Sequence, residues 1–173
     1  MKKCLLLFLL SWSGLSIAAI GDKLQGNWSG SGTIDEFVPA FSGNRSRQGI
    51  QSCRNVTVAL TTTSNRLRID LRYQCGGGLP SGSSNFDYQL RDVGGKPYRE
   101  VFDPNGSPSA LGRIFVDRLD LMELLVDPGV GDLMAVYAEL TSTKALKFRL
   151  SWSGVGNPID SFGKYLLVSL TKK

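Results

Sequence analysis

The chain contains no histidine. That absence excludes Ser-His-Asp and Cys-His catalytic arrangements, and it excludes zinc or haem held by imidazole. General acid–base work would fall to carboxylates, lysine or tyrosine. Cysteine is scarce too, with three in 173 residues, so a cysteine-rich metal centre is excluded. No cofactor or metal is expected. Serine is plentiful, but Gly30-Ser31-Gly32 lacks the strand–helix context of a nucleophile elbow. Enzymatic function is not expected, though sequence alone does not decide it. Beyond residue 20 there is no apolar run of the ~20 residues that a membrane-spanning helix needs.

What is present begins with Met1-Lys2-Lys3, an apolar run from Cys4 to Leu10, and small residues at Ser16-Ile17-Ala18-Ala19. A basic tip, a short apolar stretch and small residues predict a secretory signal peptide over residues 1–19. A single domain over residues 20–173 would follow, in the periplasm or outside the cell. Removing Lys2 and Lys3 leaves 18 basic side chains against 15 acidic, a net charge of +3. That is too weak and too dispersed to point to nucleic acid. Cys53 and Cys75 are then the remaining cysteines, and two cysteines in an exported domain predict one disulfide.

The clearest local pattern is Arg66–Cys75. Leu67, Ile69, Leu71, Tyr73 and Cys75 alternate with Arg66, Arg68, Asp70, Arg72 and Gln74. Alternation with a period of two marks a strand with one dry and one wet face. The same pattern recurs in Cys53–Thr62, in Asn85–Val93 (Phe86, Tyr88, Leu90), in Thr143–Trp152 (Phe148, Leu150) and in Phe162–Thr171. Glycine-rich Leu24–Ile34 reads as a first strand that bends or meets another backbone closely. Asp35–Gln51 reads as a long loop over a barrel mouth. Arg113–Val126 fits a helix or one to two strands, and its neighbours favour strands. Between Cys53–Thr62 and Arg66–Cys75 the cysteine register and the apolar register differ by one residue. A bulge near Arg54-Asn55 would satisfy both. The fold class is all-β, a single antiparallel up-and-down barrel of about eight to ten strands, with a β-sandwich as the alternative.

Three carboxylates, Asp117, Asp120 and Glu123, are candidates for paired acid–base chemistry, but read more simply as solvated positions. Asp103-Pro104-Asn105-Gly106-Ser107 resembles the opening of a calcium loop but lacks its closing glutamate, so it reads as a turn.

Gly26-Asn27-Trp28 resembles the Gly-x-Trp that opens the first strand of lipocalins and related calycin barrels. Trp28-Ser29-Gly30-Ser31-Gly32 is also similar to a motif of nitrobindin-like barrels. Their haem activity is not carried over, because it uses a histidine. The resemblance implies a calycin-like barrel, with Trp28 plugging its closed end and Arg149 or Lys147 lying across the indole. It further implies an apolar cavity holding a hydrophobic small molecule or lipid. The expected lining is Leu67, Ile69, Leu71, Tyr73, Phe86, Tyr88, Phe148 and Leu150. The alternative is an envelope interaction or structural protein with a solid core. Tyr73-Gln74-Cys75-Gly76-Gly77 is similar to a feature of barrel-type lysozyme inhibitors, but this chain is itself basic, and like charge opposes that role.

Overall fold

The computed structural model describes residues 20–39, 45–76, 82–105, 108–127, 130–155 and 163–173. It is an antiparallel β structure of ten strands. In chain order they are β1 Gly26–Pro39, β2 Arg45–Thr62, β3 Arg66–Cys75, β4 Gly82–Asp92, β5 Arg99–Phe102, β6 Gly112–Ile114, β7 Arg118–Asp127, β8 Val130–Ser142, β9 Ala145–Val155 and β10 Gly163–Lys172. Each strand pairs with the next, and β10 returns to β1, so the sheet closes into a barrel without edges. The expected meander is observed, and the sandwich is not.

Alternation builds this wall. Leu67, Ile69 and Leu71 on β3 are fully buried, while Arg66, Arg68 and Arg72 between them are exposed. Opposite rows come from Val56, Val58 and Leu60, from Leu146, Phe148 and Leu150, and from Leu166, Val168 and Leu170, all buried in one continuous core. The stretch 113–126 resolves as β6, a turn and most of β7. Leu119 and Leu121 face inward, and Asp120 ion-pairs at 2.9 Å with exposed-side Arg118. Asp117 caps no helix; its carbonyl accepts the Leu140 amide at 2.9 Å.

Two sequence expectations about β2 meet the structure differently. The bulge is present: the register shifts between Arg54 and Thr57, and Asn55 has φ 53°. Cys53 faces Cys75, and beyond the bulge Val58 faces Leu71 and Leu60 faces Ile69, not the Ile69 and Leu67 that the apolar rows suggest. The long loop Asp35–Gln51 is corrected. β1 runs on to Pro39 and β2 begins at Arg45, so most of that segment is a paired ladder. Its low apolar content and lack of a period-two alternation hid these strands.

The Cys53–Cys75 disulfide joins β2 to β3 across 22 residues of sequence separation. Chain-entropy arguments give such a closure about 3 kcal/mol. The double variant C53S/C75S should lose roughly that much in urea unfolding. A loss below about 1 kcal/mol would mean that the strand ladder alone fixes this end.

One end of the barrel is closed by its own chain. The turn that begins at Ile20 places Leu24 in the core at 1% exposure. The indole nitrogen of Trp28 donates to the Leu24 carbonyl at 2.9 Å. The guanidinium of Arg99 donates to the carbonyls of Thr63 (2.9 Å) and Ser64 and ion-pairs with Asp92 at 2.7 Å. Arg99 thus pins the β2–β3 turn to the β4–β5 hairpin.

Candidate functional site: the notched open end

β5 and β6 have four and three residues, whereas β4 and β7 beside them have eleven and ten. The wall is therefore cut down on one side, and the long flanking strands stand above the cut. Inward positions follow from alternation with the core. On β4 they are Ser84, Phe86, Tyr88 and Leu90; on β7 they are Leu119, Leu121 and Glu123. The lower ones are sealed. At the height of the notch Ser84, Phe86 and Glu123 are only half-buried. Across the notch the Tyr88 hydroxyl donates to Glu123 Oε2 at 2.9 Å.

That bond puts a carboxylate on the inner face of an apolar barrel, where an ionised group is costly unless it is hydrogen-bonded. Among the described residues no cationic side chain pairs with Glu123. Tyr88 is 2% exposed. Burial pushes its hydroxyl well above the ordinary tyrosine range, and the charge of Glu123, the hydrogen bond to it and the charge of Asp103 push the same way. The sign follows directly. Native Tyr88 keeps its proton where an unfolded chain loses it, near pH 10. The contribution to stability is therefore complete below about pH 10 and falls as pH rises beyond it. Tyr88→Phe should flatten the alkaline limb of the stability curve, read as urea midpoints at about pH 9 and about pH 11. Equal alkaline slopes in the two proteins would contradict the assignment.

The inner row continues round the barrel: Glu123 faces Met134, Met134 faces Trp152, and Trp152 faces Lys164. Met134 is buried, while Trp152 and Lys164 are half-buried and engaged in contacts of their own. On β2, Gln51 faces Ile34, and its Oε1 is buried without a hydrogen-bond partner among the described residues. On β3, the Tyr73 ring lies over Gly82, where a Cβ would come within 2.1 Å of Tyr73 Cζ. The missing side chain makes room for the phenol.

The eight residues expected to line a cavity divide by height. Leu67, Ile69, Leu71 and Phe148 are 0% exposed, so no water-sized space adjoins them. Tyr88 and Leu150 are nearly as closed, at 2% and 4%. Tyr73 and Phe86 are partly open at the top of the core. The structure thus brings Tyr73 and Phe86 toward the notched end, while Tyr88 pairs with Leu67 lower in the wall and reaches Glu123 through its hydroxyl. Sequence reasoning did not single out Glu123 as an inner residue. Its alternation with Leu119 and Leu121 carried that signal once the segment was read as strand. Asp120 lies on the outer face, so the wall separates it from Glu123 and that carboxylate pair does not form; Asp117 lies in the turn before β7.

At the closed end Trp28 is buried as a plug, but the basic side chain over its ring is Lys172, with Nζ 5.3 Å from the ring centroid. Arg149 lies on the outer wall over Tyr137, 5.4 Å from that ring's centroid. The expectation of Arg149 or Lys147 across the indole is corrected accordingly. Arg149 alternates with buried Phe148 and Leu150, which puts it on the wet face. The outer wall carries a row of alternating sign, Arg91, Glu100, Arg113 and Asp120.

Fold and notch together define a class: a closed ten-stranded meander barrel, plugged at one end and carrying half-exposed aromatic and polar inner side chains, among the described residues, toward the other. No family model matches the chain. No curated protein matches it either. Among solved structures it is similar to a protein of unknown function from the DUF3598 family of Nostoc punctiforme. The TM-score is 0.43 and the identity 11%, over 88% of this chain and 48% of that one. This chain therefore spans about half the length of that protein. It is also similar to EF1p2_mFAP2b bound to DFHBI, with TM-score 0.38 and identity 10%, over 91% of this chain and all of the other. Neither likeness carries an inference about function. No helix among the described residues is long and apolar enough to cross a membrane.

Proposed function

We propose that the protein is an exported, non-enzymatic binding module of calycin-like build that takes an apolar or amphiphilic small molecule, such as a lipid, at its notched end. The observation that carries this reading is the half-exposed inner surface of Phe86 and Glu123 above a sealed core. Binding sites of this kind combine apolar lining with a few convergent polar groups. The disulfide and the amino-terminal apolar pattern support export. The tryptophan plug beneath a basic side chain supports the calycin-like reading. Tyr73, Phe86 and Tyr88 would touch the ligand, and Leu67, Ile69, Leu71, Phe148 and Leu150 would support them from below.

The sealing of the lower barrel favours a second reading, an interaction or structural protein of the cell envelope with a solid core. Native mass spectrometry of protein purified from its own compartment separates the two. The binding reading expects a small-molecule adduct that solvent extraction removes and re-addition restores. A bare protein that takes up no alkyl ligand, yet captures a specific envelope protein, would replace it with the second reading.

A further inference from the structure

We propose that the notch selects organic cations, amphiphiles whose head group is an ammonium, over carboxylates and neutral molecules of the same chain length. This inference rests on the small-molecule reading and deepens it. The charged group that stands at the notch is an acceptor. Glu123 offers its carboxylate, with one oxygen already receiving the Tyr88 hydroxyl and the other without a partner among the described residues. Gln51 Oε1, on the inner face of β2 toward the same end, is a buried acceptor with no donor among the described residues. Buried acceptors left unpaired are rare enough in folded proteins to require an explanation, and a donor-bearing guest supplies one. Asp103 stands close enough for its charge to bear on Tyr88.

The aromatic groups beside these acceptors point the same way. Tyr73 and Phe86 present partly open rings at the top of the core, with the Tyr88 ring buried beneath. Ring faces attract ammonium groups, and a carboxylate adds its full charge to that attraction. The basic group of the inner row, Lys164, is three strand spacings of about 4.8 Å each from Glu123 along the wall and has an interaction of its own. A fatty-acid carboxylate placed at Glu123 would instead meet like charge.

The test measures binding of decylamine, decanol and decanoate below their micelle concentrations by calorimetry. Wild-type protein should bind decylamine at least tenfold more tightly than decanoate, with decanol between them. Glu123→Gln should abolish the preference for the amine over decanoate. Its unfolding midpoint in urea checks that the variant folds. Phe86→Leu should weaken all three probes and keep their order. Decanoate binding as tight as decylamine, or an unchanged preference in Glu123→Gln, would overturn the cation assignment while leaving the binding reading intact. Failure of all three probes to bind would remove the binding reading itself, and this inference with it.

Discussion

Replacing Gly32 by alanine should destabilise the barrel by about 3 kcal/mol or more, at the upper end of what overpacking costs. A Cβ at Gly32 would lie 2.0 Å from the Leu167 carbonyl oxygen and 2.7 Å from Val168 Cα. At Gly30 it would lie 2.1 Å from the Ser169 carbonyl oxygen. These are backbone atoms of β10, the strand that closes the barrel against β1. A flexible side chain could swing away; a ladder strand cannot move without breaking its hydrogen bonds to both neighbours. Steric room fixes glycine here, since neither residue has a positive φ. Measured against a total stability of 5–15 kcal/mol typical of domains, the loss is large. It corresponds to a fall of about 10 °C in Tm. Gly94→Ala is the matched control, because its Cβ would meet nothing within 4 Å. If Gly32→Ala melts alongside Gly94→Ala, β1 and β10 do not approach as closely as this closure requires.

The same two glycines show what the sequence made legible. Their spacing in a strand signalled close backbone approach, and the approach is there. The barrel was legible because one face of nearly every strand is dry: a one-residue slip would expose Leu67, Ile69 and Leu71 together. The bulge at Asn55 was legible because two independent constraints, the cysteines and the apolar rows, disagreed by one residue. What escaped reading lacks that contrast. The sequence of Asp35–Gln51 has no continuous apolar alternation, and β1 shifts register against β2 twice, so parity there does not carry from one end to the other. Lys172 over Trp28 was hidden for another reason. Cross-strand pairing of Trp28 with Lys172 depends on how β10 returns to β1, a long-range register that no local pattern encodes. Glu123 was within reach of parity alone, but the choice between helix and strand had to come first.

The plug at the other end yields the second large effect. Trp28→Ala should cost about 3–5 kcal/mol, the usual range for deleting a buried aromatic. The indole is 1% exposed and joins the core that includes Ile20 and Leu24. Its nitrogen holds the Leu24 carbonyl, so truncation leaves both a void and an acceptor without its donor. Trp28→Phe separates the two losses, since it keeps most of the ring and removes only the hydrogen bond, for about 1 kcal/mol plus a smaller cavity term. Urea unfolding of both variants reads the difference. Because the plug and the notch sit at opposite ends of a sealed core, Trp28→Phe should leave binding of decylamine unchanged, whereas Glu123→Gln alters binding selectively. A Trp28→Ala protein within about 1 kcal/mol of wild type would show that the amino-terminal turn is not anchored by the indole. Loss of amine binding in folded Trp28→Phe would show that the two ends are coupled through the packed interior, not separated by it.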